Sequence, residues 1–128
     1  MSEPKRILIV EDEFEWRENI LREALEEEGR HIQTSASYQQ ASAILDQETF
    51  DLVIVDVNLA GVPGNRDGVR IVKRLTENEN PPSVIIVSSS ATLKAARDSL
   101  GMLEPVAFMD KTDFDLVDFI KTAADALS

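Results

Sequence analysis

Four short polar clusters in this 128-residue chain carry residue types that could do chemistry. Glu11-Asp12-Glu13 follows the run Ile7-Leu8-Ile9-Val10, and Asp56-Val57-Asn58 follows Leu52-Val53-Ile54-Val55. Ser88-Ser89-Ser90 follows Val84-Ile85-Ile86-Val87, and Asp110-Lys111-Thr112 follows Val106-Ala107-Phe108-Met109. Carboxylates drawn to one place repel one another and resist ionisation unless a cation joins them. Their oxygens select a hard ion, with Mg2+ expected and Mn2+ or Ca2+ as substitutes. A lysine and a hydroxyl beside that cluster would meet the oxygens of a phosphoryl group. Phosphoryl transfer needs mostly positioning and charge neutralisation, and a carboxylate can itself be the nucleophile. Taken singly, each cluster has a plainer reading: acidic residues opening a helix, a serine cap, a solvated lysine. Whether the four meet decides between the readings.

The elements around them argue that they do meet. Apolar runs alternate with segments of helical spacing, strand then helix, five times. The second run, His31-Ile32-Gln33-Thr34, alternates and reads as an edge strand. The first, third and fourth are unbroken β-branched or leucine blocks, the pattern of strands covered on both faces. Helical faces are marked by Ile20, Leu21, Ala24 and Leu25, ending near Gly29; by Ala41, Ile44 and Leu45 after a capping box at Ser37-Tyr38-Gln39-Gln40; and by Val69, Val72 and Leu75. Leu93, Ala96 and Leu100 mark a fourth face, and Leu116, Phe119, Ile120, Ala123 and Leu127 a fifth, which Thr112-Asp113-Phe114-Asp115 can cap. This order implies an α/β fold: a doubly wound five-stranded parallel sheet of flavodoxin-like order 2-1-3-4-5, with helices on both faces. In such sheets ligands bind beyond the carboxyl ends of the strands at the switch in strand order, here between strands one and three. Those ends carry the four clusters. The loop Leu59–Arg66 would lie at the same face.

In order and spacing, Ile7–Glu13, Asp51–Leu59, Asp67-Gly68, Val84–Ser89 and Lys111 together resemble the receiver domain of bacterial two-component signalling, over nearly the whole chain. The resemblance implies that residues 1–128 are a single receiver domain, a phosphoacceptor switch and not an enzyme acting on a separate substrate. It implies that Asp56 accepts a phosphoryl group from a sensor histidine kinase or a histidine phosphotransfer protein. Glu11, Asp12, Asp56 and the backbone carbonyl of Asn58 would hold Mg2+. Lys111 and Ser88 would contact the phosphoryl group, and Ser88 with Phe108 would form a switch pair. The responding surface would be helix four, strand five and helix five, read by a downstream protein target or a fused output domain.

Three departures from the family pattern stand out. Thr112 occupies the place of a proline that is often cis, and a cis bond before a non-proline residue is costly, so a trans peptide is expected. The loop after strand three is longer than usual. Phe108 lacks the hydroxyl of the commoner tyrosine. The remaining residues take ordinary readings: Glu13 opens the first helix, Ser90 caps the fourth, Asp67 caps the third and Gly68 packs. Trp16 is a partly exposed residue of the first helix. His31, the sole histidine, sits away from the active end, which argues against a phosphohistidine carrier.

Composition limits the alternatives. A net charge of −11, from 24 acidic and 13 basic residues, opposes direct nucleic-acid binding. No apolar stretch reaches the roughly 20 residues of a membrane span. With no cysteine there is no thiolate site, and a cytoplasmic location is the expectation. Two other functions are weighed. A degenerate receiver would serve as a phosphorylation-independent protein-binding scaffold, as Thr112 and the long loop suggest. A small aspartyl-phosphate phosphohydrolase is faintly echoed by Val53–Asn58, but that family has its acidic pair after the nucleophile, and here it comes before.

Overall fold

The structure is a computed structural model that describes residues 3–61, 64–100 and 105–128. Strands β1 (Lys5–Val10), β2 (Arg30–Ser35), β3 (Leu52–Val55), β4 (Ser83–Ser88) and β5 (Ala107–Asp110) form one sheet. Its order is β2-β1-β3-β4-β5 and every pairing is parallel. The expected flavodoxin-like arrangement is what the chain adopts. Helix α1 runs as a π-helical stretch, Glu15–Arg22, into an α-helical turn, Glu23–Leu25. It is followed in the chain by α2 (Tyr38–Gln47), α3 (Asp67–Thr76), α4 (Ser90–Leu100) and α5 (Leu116–Leu127).

Alternate residues of each inner strand serve opposite cores. Leu8, Val10, Val53, Val55, Val84 and Ile86 pack with Ala41 of α2, Val69, Ile71, Val72 and Leu75 of α3, and Leu93, Ala96 and Leu100 of α4. Ile7, Ile9, Leu52, Ile54, Ile85 and Val87 pack with Leu21 and Leu25 of α1 and Phe119, Ala123 and Leu127 of α5. This two-sided burial explains why β1, β3 and β4 show no polar alternation. Each such side chain, fully withdrawn from water, stabilises the fold by about 1.5–3 kcal/mol.

Caps fix where helices begin. Ser37 Oγ accepts from Gln40 N at 3.1 Å, while Gln40 Oε1 accepts from Ala36 N at 2.8 Å. Asp115 Oδ1 accepts from Asp118 N at 3.0 Å and starts α5. Three expectations need correction. The α1 helix ends at Leu25, four residues before Gly29, which instead supplies a positive φ of 86° in the turn into β2. On α5, Leu116 and Ile120 are exposed, because the buried stripe is the narrower Phe119, Ala123, Leu127 line. Strand β5 begins at Ala107, with Val106 exposed before it. The loop Leu59–Arg66 lies at the carboxyl end of the sheet as expected, although Val62 and Pro63 fall outside the described residues.

Candidate functional site

The sheet's hydrogen bonding continues past the strand ends and lines up the four clusters. Glu11 N donates to Ser35 O at 3.0 Å, and Asp56 N donates to Val10 O at 2.9 Å. Asp56 therefore begins beside Glu11 and Asp12. Across the sheet, Lys111 N donates to Ser88 O at 2.9 Å. Asp12, Asp56, Asn58, Ser88 and Lys111 accordingly line one open cleft of about 260 Å3, together with Glu13, Gly61, Ser89 and Thr92.

Asp56 is the hub of this cleft and is buried. Its Oδ1 accepts from Ser88 Oγ at 2.6 Å and from Asn58 N at 3.1 Å. Its Oδ2 accepts from Lys111 Nζ at 2.9 Å. Lys111 Nζ also stands 2.6 Å from Glu11 Oε1. Glu11 is fully buried, and its other oxygen accepts from Glu13 N at 3.1 Å. Burial first, and Asp56 second, push the Glu11 carboxyl up to about 8, although Lys111 pulls it down. Burial works against the Lys111 ammonium, but Asp56 and Glu11 outweigh it and raise its pKa above the ordinary lysine value.

The donor set suits a hard divalent cation. One carboxylate oxygen each from Glu11, Asp12 and Asp56 lies within 4.8 Å of the others. Carboxylates that crowd this closely, one of them resisting ionisation, have the chemistry that a bound dication relieves. Two glycines shape the approach. Gly61, at φ 65°, passes with its would-be Cβ 4.0 Å from Asp12 Oδ2. Gly68 brings the start of α3 against β3: a Cβ there would lie 2.0 Å from Asp56 O and 2.6 Å from Val57 Cα.

The family model described as "Response regulator receiver domain" matches residues 7–121. The chain belongs to this family. Receiver domains are phosphoacceptor switches of two-component signalling, regulators and not enzymes of the ordinary kind. The regulatory protein VirG of Agrobacterium fabrum is 34% identical over 110 residues, 86% of this chain and 39% of that protein. Sporulation initiation phosphotransferase F of Bacillus subtilis is 30% identical over 111 residues, 87% of this chain and 86% of that protein. The chain thus spans well under half of VirG and 20% of the alginate regulator AlgB of Pseudomonas aeruginosa. Solved structures share the fold. The receiver domain of NtrX from Brucella abortus superposes with a TM-score of 0.76 at 23% identity, covering 94% of this chain and 97% of that one. A CheY-like receiver domain protein from Methanospirillum hungatei JF-1 gives 0.75 at 21% identity, covering 98% and 94%.

Within the receiver, Glu11, Asp12, Asp56, Ser88 and Lys111 come together as their spacing suggested. Asn58 lines the cleft, and its side-chain oxygen accepts from Ala60 N and Gly61 N, which fits the turn reading. Phe108 is half-buried against the α2–α4 core, with the Arg97 guanidinium 4.9 Å from its ring centroid. Glu13 precedes α1, whose N-cap position is Phe14 and whose first turn carries Glu15 and Glu18; its carbonyl accepts from Arg17 N at 2.9 Å, and it borders the cleft. His31 is exposed on edge strand β2.

Two capping assignments shift. Asp67 is the first residue of α3 and not its cap; Arg66 holds the N-cap position without a side-chain bond, and Asn65 Oδ1 accepts from Asp67 N at 3.1 Å. Ser90 is the first residue of α4, and its hydroxyl donates to the Asp110 carboxylate. Ser89, one residue earlier, accepts at its carbonyl from Leu93 N at 2.9 Å. Sequence reasoning also passed over Thr92, whose hydroxyl lies 2.5 Å from Ser88 Oγ. The four-residue spacing on a helix following Ser88 was its only signal. Among the described residues, no helix is long and apolar enough to cross a membrane.

Proposed function

We propose that this chain is a phosphorylation-controlled signalling switch in which Asp56 takes a phosphoryl group in a Mg2+-dependent reaction. One observation carries the reading: a buried carboxylate has a hydroxyl and an ammonium already on its two oxygens, Ser88 at 2.6 Å and Lys111 at 2.9 Å. In the transfer, an Asp56 oxygen forms the new O–P bond while the P–N bond of a phosphohistidine donor breaks, and the leaving imidazole takes up a proton. Lys111 and Ser88 turn from Asp56 to the incoming phosphoryl oxygens, so the donors that rest on the nucleophile are those that bind the product. Glu11, Asp12, Asp56 and the carbonyl of Asn58 would hold Mg2+, which supplies charge neutralisation at the phosphoryl oxygens. Movement of Ser88 would be passed to Thr92 on α4 and to Phe108 on β5, biasing the α4–β5–α5 surface toward a second conformation.

The donor is a sensor histidine kinase or a histidine phosphotransfer protein, and the reader is a downstream protein or an output domain. Residues 1–128 act as one receiver unit, in the cytoplasm. Similarity to a phosphotransferase along most of both chains supports transfer between proteins. Thr112 motivates the scaffold alternative, yet Lys111 reaches Asp56 through an all-trans loop, which favours the phosphoacceptor reading. The test is transfer from a phosphorylated histidine phosphotransfer protein. Label should move to the chain with Mg2+ present and stay on the donor with EDTA. Partner binding that is identical with phosphorylated and unphosphorylated protein would favour the scaffold.

A further inference from the structure

Lys111 is held by more than carboxylates. Its Nζ lies 5.0 Å from the ring centroid of Trp16, on the first helix. The Trp16 ring meets Phe114 edge-on, with centroids 5.1 Å apart and planes at 83°. Phe114 in turn lies 5.4 Å from Phe119, the fully buried first residue of the apolar stripe of α5. An aromatic stack thus runs from the core through the loop after β5 to the lysine head. The backbone of Lys111 is anchored separately, by its N–H to Ser88 O at 2.9 Å. Beyond it the loop is closed by Thr112 N donating to Asp110 Oδ1 at 2.8 Å.

We infer that Trp16 is the positioning residue for Lys111, an inference that rests on the phosphoacceptor reading of the site. A lysine head sits on a flexible four-carbon stem, and ordering it costs rotamer freedom. A cation within about 6 Å of an indole face is attracted to it, more strongly where water is partly excluded; the Lys111 side chain is 13% exposed. The competing position is outward, because Glu13 Oε2 stands 4.0 Å from the same ammonium and its side chain is 61% exposed. The contacts to Asp56 and Glu11 must loosen when Lys111 turns to a phosphoryl group. The contact with an uncharged ring need not, so Trp16 keeps the head over Asp56 during the exchange. Trp16 touches no reacting atom and acts through Lys111 alone.

The test is a double-mutant cycle on the rate of phosphorylation by acetyl phosphate at saturating Mg2+, followed by intact mass. Trp16→Leu should slow the reaction roughly threefold to tenfold. Trp16→Phe, which keeps a π face on the same prop, should recover most of the rate. In a Lys111→Met background, Trp16→Leu should cause no further loss. Equal slowing in both backgrounds would assign Trp16 a merely structural role and overturn the inference, as would a Trp16→Leu rate equal to wild type. Trp16 is the only tryptophan in the chain, so Lys111→Met should also change its emission in the resting protein, and unchanged emission would contradict the contact. Wild type that takes up no phosphoryl group removes the phosphoacceptor reading, and this inference with it. Phosphorylated wild type without Trp16–Lys111 coupling removes the inference alone.

Discussion

Lys111 Nζ stands 2.6 Å from Glu11 Oε1, an ion pair in which the carboxylate is fully buried. The same ammonium serves Asp56, so one positive charge is shared by two acids, with Asp12 beside them. Burial first, and the neighbouring Asp56 charge second, push the Glu11 carboxyl up to about 8, against the pull of Lys111. A carboxyl raised in the folded state binds a proton there between about pH 4.5 and 8, whereas in the unfolded chain it does not. Stability from this group is therefore full below pH 4.5 and is lost as pH rises toward 8. In EDTA, the unfolding free energy of wild type from urea titration should fall between pH 5 and 7.5 by an amount on the order of 1–3 kcal/mol. Glu11→Gln should lose distinctly less over the same range.

Divalent metal should reverse that loss and release a proton. Mg2+ binding requires ionised carboxylates, so its apparent affinity should climb with pH from 6 and level off above 8, approaching about tenfold per unit where one proton is displaced. Calorimetry in two buffers of different ionisation enthalpy reads the proton directly. An affinity that is flat from pH 6 to 8 would mean that Glu11 takes no part.

Gly68 allows α3 to rest on the backbone of Asp56. A methyl group at this position meets Asp56 O at 2.0 Å, which backbone cannot yield. Gly68→Ala should destabilise by about 1–3 kcal/mol or more, as overpacking does. It should also slow phosphorylation by moving Asp56. Chemical denaturation and the acetyl phosphate rate check the two effects separately.

Ser88 links Asp56 to α4, through Asp56 Oδ1 at 2.6 Å and Thr92 Oγ1 at 2.5 Å. Ser88→Ala should still be phosphorylated on Asp56, more slowly. The response of α4 should be largely lost. Hydrogen exchange of α4 and β5, with and without beryllofluoride, should differ in wild type and scarcely differ in the variant.

Much of this was legible in the sequence because the physics was local. Unbroken runs such as Ile7–Val10 and Leu52–Val55 announce strands buried on both faces, and strand–helix alternation fixes which strand ends meet. The convergence of Glu11, Asp12, Asp56, Ser88 and Lys111 follows from that topology. What was not legible depends on side chains meeting across elements. The stack Phe119–Phe114–Trp16 joins two distant segments with no shared spacing. That Asp67 falls inside α3, with its N–H on Asn65 Oδ1, turns on one loop conformation, and Ser90 gives its hydroxyl to Asp110 from the next strand. Leu116 and Ile120 fit the apolar period of α5 but fall outside the width of the surface it covers.

The most direct test of the central claim is intact mass after incubation with acetyl phosphate, with and without Mg2+, on wild type and Asp56→Asn. Wild type should gain one phosphoryl group, only with Mg2+, and the variant none. An adduct that persists in Asp56→Asn, or that forms equally in EDTA, would contradict it.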